Sequence, residues 1–187
     1  MFADAFVDDP VYAFLRPGRL RQEARLRGMF EAELKLYVLA NGGTVWTTPG
    51  YDGAVAVLPP GRWEMPAAVT GKEALGWLRG FRTQLPRALR VQKAMASRHI
   101  REPHFYVRTI GVRTAMQGRG VGSRLMQPTL ERADSAELPA YIEASSERSA
   151  GLYERLGFVH LGMFELPDGG PSVWPMRRPP GRGSSGS

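Results

Sequence analysis

At 187 residues, 43% of them hydrophobic and none of them cysteine, the chain has enough apolar matter for one domain with a real core, and it excludes a disulfide framework or a thiolate metal site. The net charge of +7 suits an anionic ligand, but all except three of the 25 basic residues are arginines spread along the chain, so no basic block points to nucleic acid. His99, His104 and His160 are too scattered to suggest a zinc site, no metal is expected, and Asp4, Asp8 and Asp9 stand where a leader would carry basic and apolar residues, so no membrane span is expected and a cytoplasmic location follows.

Asp9 suits a helix N-cap and Pro10 the first helical position, with a further break near Pro17 and Gly18; short helices over a cleft are predicted here. A longer helix is expected from Leu20 to Leu39, with Leu26, Phe30, Leu34, Tyr37 and Val38 as its buried stripe and Asn41-Gly42-Gly43 as its stop. Thr44 to Thr48 and Ala54 to Leu58 read as neighbouring strands joined through Pro49-Gly50-Tyr51-Asp52-Gly53. Lys72 to Phe81 and Pro86 to His99 are helical in pattern and predict an insertion beside the cleft. Phe105 to Val112 reads as a strand, with Phe105, Val107 and Thr109 on one face and Tyr106, Arg108 and Ile110 on the other. Phe158 to Leu166 and Ser172 to Arg177 form the last predicted hairpin. Residues 1–178 are expected to make a single domain, and the Gly/Ser-rich tail over 179–187 is expected to be disordered. Trp46, Trp63, Trp77 and Trp174 are expected in the core or around the cleft, where they hint at a bulky substrate.

Between the Phe105 strand and an amphipathic stretch opening at Val121 stand Gly118, Gly120 and Gly122. Without a Cβ they permit φ > 0 and close approach of an anion to the positive end of the new helix. The spacing fits neither the dinucleotide G-x-G-x-x-G pattern nor a P-loop, which needs a lysine. What remains, Gln117-Gly118-Arg119-Gly120-Val121-Gly122, contains Q-x-x-G-x-G and resembles the acetyl-coenzyme A motif of the GCN5-related N-acetyltransferases. A second segment is similar to the other half of that family's signature: Ile142-Glu143-Ala144-Ser145 on a strand, then Leu152-Tyr153 on a helix closing at Gly157-Phe158. Here Ser145 or Ser146 suits the N-cap and Gly157 the left-handed stop. Residues 102–181 resemble, more closely, the puromycin N-acetyltransferase group within the family.

The resemblance implies an α/β fold: a mixed, mostly antiparallel sheet flanked by helices, splayed into a V between the strands near 105–112 and 140–145. Members of the group place a strand ahead of Ala5-Phe6, which is expected to be absent here, leaving a sheet edge for a neighbouring element or a homodimer to cover. It further implies that backbone N–H groups from Gln117 through Ser123, by way of Gly118, Arg119, Gly120, Val121 and Gly122, hold a pyrophosphate, that Ile110, Gly111 and Val112 pair with the pantetheine, and that Arg113, Arg119 and Arg124 add charge or are simply solvated. Tyr153 matches the family's proton donor to the thiolate, and Ser149 stands where an Asn often contacts the cofactor. Glu143 is the candidate base, the other reading being a structural carboxylate; His104 and Tyr106 are weaker alternatives. The implied reaction is acetyl transfer from acetyl-coenzyme A to a primary amine of a small molecule, the other reading being a non-catalytic acyl-coenzyme A sensor.

Overall fold

The structure is a computed structural model and describes residues 1–15, 22–64 and 84–181. The predicted helix at Lys72 to Phe81, Trp77, the break at Pro17-Gly18 and residues 182–187 lie outside them. Helices α1 (Phe2–Ala5), α2 (Pro10–Leu15) and α3 (Gln22–Glu33) precede strands β1 (Thr44–Thr47) and β2 (Gly53–Leu58); α4 (Leu85–Arg98), β3 (Phe105–Val112), α5 (Val121–Ser135), β4 (Ala140–Ala144), α6 (Glu147–Arg155), β5 (Val159–His160), β6 (Phe164–Glu165) and β7 (Ser172–Arg178) follow. No described helix is long and apolar enough to cross a membrane.

The strands form one mixed sheet in the order β1-β2-β3-β4-β7-β5, with β6 also on β7. Only β3 and β4 run parallel, and they are in register at just two positions, Phe105 with Ala140 and Tyr106 with Tyr141. Beyond those the two strands part, which is the expected V. Among the described residues no strand precedes β1, so β1 forms one edge of the sheet, and Trp46 on it is 37% exposed rather than in the core or cleft, contrary to expectation. An edge strand has only one flank covered by neighbours, which explains its exposure.

One sheet face packs on α5. Val55, Val57, Phe105 and Val107 meet Val121, Leu125, Met126 and Leu130, while Ile142, Tyr153 and Phe158 extend the same core across β4 and α6. Each such side chain contributes about 1.5–3 kcal/mol by leaving water. The opposite face carries Tyr37, Val38, Ala56, Leu58, Tyr106 and Tyr141.

Strict alternation along β3 fails at one point, and the failure builds the site. Ala56 pairs with Thr109 but Val57 pairs with Val107, so Arg108 is an extra residue bulged from the ladder. A bulge shifts the phase of every later side chain. Thr109 therefore joins Tyr106 and Arg108 on the cleft side, where it donates to Glu33 at 2.8 Å, while Ile110 and Val112 pack with the α5 core.

The helix expected from Leu20 to Leu39 is also interrupted. Its α portion ends at Glu33, a π turn covers Leu34–Val38, and a 3-10 turn over Leu39–Asn41 stops at Gly42, φ 73°. The widened turn lets the adjacent residues Tyr37 and Val38 both be buried against the sheet. At the other end the strand expected over Phe158 to Leu166 splits into β5 and β6, because Gly162, φ 115°, bends the chain between two separate pairings with β7. Arg178 grips Asp134 with two bonds of 2.6 and 2.9 Å, and Gly181 donates its N–H to the same carboxylate, so the described chain runs on past residue 178.

Ser146 caps α6 through a reciprocal pair with Ser149, each backbone N–H reaching the other's hydroxyl at 3.2 Å. Replacing Ser146 by Ala should cost about 1 kcal/mol, which is roughly 2–4 °C of melting temperature in a domain of this size. An unchanged thermal melt would show that the cap does not hold α6.

Candidate active site

The parting of β3 from β4 opens a cleft of about 1340 Å³, roofed by residues of α1 and α2 and reaching from the glycine turn to Glu143. Asp9 holds the roof. Its carboxylate caps α2 through Val11 and Tyr12, at 2.9 and 3.1 Å, and also accepts a bond from the Ser145 hydroxyl at the end of β4. Burial raises the pKa of Asp9, with those bonds pulling the other way.

At one end of the cleft is the glycine turn. Gly118 (φ 76°) and Gly120 (φ 72°) are both left-handed, and Gly120 is the N-cap of α5. The first i to i−4 bond is donated by Arg124 to the Gly120 carbonyl at 3.2 Å, so the N–H groups that open the helix are left pointing out of its N-terminus. Gln117 is different. Its N–H donates to Thr114 at 3.3 Å, and its side-chain amide to Val112 at 3.1 Å, so it braces the turn. A Cβ on Gly122 would come within 3.2 Å of Leu152, the close packing that brings α5 and α6 together. Gly118, Gly120, Val121, Gly122, Ser123, Ile110, Gly111 and Val112 all line the cleft. Arg113 and Arg119 are exposed outside it, and Arg124 donates to the Arg119 carbonyl at 3.2 Å; the arginines that do line the cleft by this end are Arg148 and Arg155. These features fit a pyrophosphate on the turn and an extended amide-bearing arm along the unpaired flank of β3.

Tyr153, on α6, lines the cleft and is nearly buried. Its phenol is pushed well above the ordinary range, by burial first and by the charge of Asp9 second, so it keeps its proton. Ser149 also lines the cleft, with its hydroxyl proton donated to the Ser146 carbonyl at 2.8 Å.

The opposite end is built around Glu143 of β4, whose side chain is only 6% exposed. Its Oε1 lies 3.1 Å from His99 Nδ1, and its Oε2 accepts from the Tyr106 hydroxyl at 2.6 Å. Burial would raise its pKa, but His99, Tyr106 and Arg108 outweigh burial and hold it below the ordinary carboxylate value. Arg108, the bulged residue, donates to the Tyr106 oxygen at 3.1 Å and pairs with Glu33 at 3.3 Å. Trp63 stacks on the His99 ring with centroids 4.0 Å apart, and Tyr37 donates to the Trp63 carbonyl. His104 sits behind His99 and is buried. From sequence, Glu143, Tyr106 and His104 are named as candidates and Trp63 is expected in the core or around the cleft, but His99, Arg108, Glu33 and Tyr37 are missed as site residues. The one local signal is the pair His99 and His104, five apart and just ahead of β3. Among the described residues no cluster of His, Cys, Asp and Glu is arranged to hold a metal ion.

The model of the acetyltransferase (GNAT) family matches residues 36–158. An uncharacterized N-acetyltransferase of Schizosaccharomyces pombe is 28% identical over 170 residues, 84% of this chain and 67% of that protein. The N-alpha-acetyltransferase RimI of Mycobacterium tuberculosis is 34% identical over 59 residues, so that only 32% of this chain and 37% of that protein are compared. Among solved structures, a histone acetyltransferase HPA2-related acetyltransferase from Corynebacterium glutamicum superposes with a TM-score of 0.70 at 28% identity, covering 97% of this chain and 88% of that one. A Drosophila melanogaster polyamine N-acetyltransferase shares the fold, with a TM-score of 0.54 at 17% identity over 95% of this chain and 90% of its own. With the splayed sheet, the glycine turn and the family match falling on the same residues, the chain belongs to the acetyltransferase (GNAT) family.

Proposed function

We propose that this protein transfers the acetyl group of acetyl-coenzyme A directly to a primary amine of a small molecule. The observation that carries the reading is that a buried carboxylate, Glu143, and a buried phenol, Tyr153, face one cleft together with the left-handed glycine turn. At about 1340 Å³ the cleft exceeds the roughly 300–1,000 Å³ typical of a single ligand, which leaves room for two reactants. Acetyl-coenzyme A, when bound, supplies an activated acyl thioester. The turn from Gly118 to Ser123 would hold its pyrophosphate, with Arg148 and Arg155 adding positive charge, and Ile110 to Val112 would pair with its pantetheine.

The chain's own residues then handle protons. An alkyl amine arrives as ammonium and must lose a proton before its nitrogen is nucleophilic, and Glu143 is placed to take it. Tyr153 holds its proton through burial and would supply it to the thiolate that leaves. Holding both partners in one cleft supplies much of the rate. The resemblance of residues 102–181 to the puromycin N-acetyltransferase group, with Trp63, Tyr37 and Tyr106 around the Glu143 end, supports a bulky or aromatic amine.

Thiol release from acetyl-coenzyme A should be followed against puromycin, aminoglycosides, polyamines and peptide N-termini, with the acetylated product identified by mass. Binding of acetyl-coenzyme A without turnover on any amine would favour the sensor reading. Absence of binding would sink both. Gly120→Val should weaken acetyl-coenzyme A binding at least tenfold, about 1.4 kcal/mol, because a branched side chain is strained at φ 72°. Wild-type affinity by calorimetry on folded variant would show that the turn is not the phosphate site.

A further inference from the structure

Behind Glu143 runs a chain of buried side chains whose proton count follows from its hydrogen bonds. His104 Nδ1 lies 2.7 Å from the Glu102 carbonyl oxygen, which can only accept, so that nitrogen carries a proton. His104 Nε2 and His99 Nε2 are 3.0 Å apart, and one proton must lie between them. Another must lie between His99 Nδ1 and Glu143 Oε1. Glu143 Oε2 is already engaged, because the Tyr106 hydroxyl accepts from Arg108 and has only its own proton to donate. The three contacts need three protons, whereas two neutral imidazoles and a carboxylate bring two. With the third proton the unit is neutral overall, which a buried site favours over a net negative charge, and the Tyr106 hydroxyl donating to Oε2 together with the Arg108 charge keeps that proton on the imidazole side, as carboxylate and imidazolium, and off Glu143.

The surroundings place the positive charge on His99. Trp63 stacks on its ring at 4.0 Å and 19°, and Tyr106 and Tyr141 approach at 4.7 and 4.4 Å, an aromatic enclosure of the kind that stabilises cations. Burial lowers the basicity of His104. The other ionisable groups around it are these: Arg108 is matched by Glu33 on α3, Glu102 by Arg177 on β7 at 2.7 Å, Arg101, over the Trp63 ring at 5.2 Å, by Glu64 at 3.8 Å, and the hydroxyls of Tyr37 and Tyr141 are held neutral by burial.

We propose that His99 and His104 are positioning residues for the acceptor end of the reaction: in the resting protein His99 is an imidazolium clamped to Glu143, and release of the shared proton readies Glu143 to take one from the amine. The proposal rests on Glu143 being the proton acceptor. The unit first sheds one proton to solvent; Glu143 then gains one from the substrate ammonium, and the unit is neutral again. While His99 is charged, its bond and its charge act with Tyr106 and Arg108 to hold Glu143 below the ordinary carboxylate value, so losing that charge increases the proton affinity of Glu143.

Ring-nitrogen magnetic resonance on full-length protein with labelled histidine tests this directly, since there are only three histidines and His160→Gln identifies the exposed one. At neutral pH one buried ring should carry protons on both nitrogens and the other on Nδ1 alone, and both should respond to a single titration as pH rises. Two neutral buried rings at neutral pH would overturn the proposal. In His104→Phe the need for the extra proton disappears, so the acid limb of kcat/KM for the amine should move by about one pH unit toward acid, with the KM for acetyl-coenzyme A unchanged. A lower rate with an unmoved limb would mean that His104 only supports the fold. Should that variant not fold, the wild-type ring spectrum decides alone. Full activity in Glu143→Gln would remove the catalytic role of the clamp, while a wild-type spectrum with the imidazolium still present would show that the failure lies in the assignment of the base.

Discussion

Glu143→Gln should lower kcat by about a hundredfold or more, while acetyl-coenzyme A affinity measured by calorimetry stays at the wild-type value. The magnitude is that of losing a positioned proton acceptor, typically 10²–10⁴-fold. Glutamine keeps the shape: its oxygen still accepts from Tyr106, and its NH2 stands where Oε1 faced His99, a bond that persists with His99 Nδ1 as the acceptor; the carboxylate bonds lie at 2.6 and 3.1 Å. What is lost is the negative charge. A purely structural carboxylate predicts a different pattern, namely a lower melting temperature with near-normal turnover per folded molecule. Measuring both quantities on the same preparation separates the two, and unimpaired kcat would retire Glu143 as the base.

Tyr153→Phe should reduce kcat by roughly a hundredfold and leave acetyl-coenzyme A binding almost unchanged, since only a proton donor used during the reaction is removed. The ring remains to pack on Phe158, whose centroid is 6.0 Å away, so stability should change little. The direction of the pKa shift adds a second expectation. A phenol raised by burial, and further by Asp9, stays protonated to higher pH than an ordinary tyrosine near 10. The wild-type rate should therefore persist into the alkaline range without a falling limb from this residue. Turnover of the phenylalanine variant at the wild-type rate, with the true amine, would show that Tyr153 is only a core residue.

Local chemistry explains what the sequence made legible. Gly118 and Gly120 lie where a strand pattern gives way to a helix pattern, Asp9-Pro10 and Gly42 mark a start and a stop, and every one of these features acts within a few residues of itself. The constellation around Glu143 is of another kind. His99 reaches it across 44 positions and Tyr106 across 37, and Arg108 enters only because the ladder skips a residue between Ala56 and Val57. A bulge depends on how two strands settle against each other, which no window along one strand reveals. The same limit hid the π turn at Leu34–Val38 and the division of β5 from β6, both decided by what the segments pack against.

The two ends of the cleft are written in different materials, which bears on how such a protein can change over generations. The end proposed to hold the acyl donor relies on backbone: a left-handed turn, unspent helix N–H groups and an unpaired strand flank, which most exchanges of side chain leave intact. The Glu143 end, proposed to take the acceptor, relies on side chains gathered from α3, the segment at Trp63, α4, β3 and β4, any of which a single codon can alter. Under the proposed function, descendants can thus drift from one amine to another while retaining the same acyl donor, and ancestry will be recorded more faithfully in the chemistry than in the identity of the molecule acetylated.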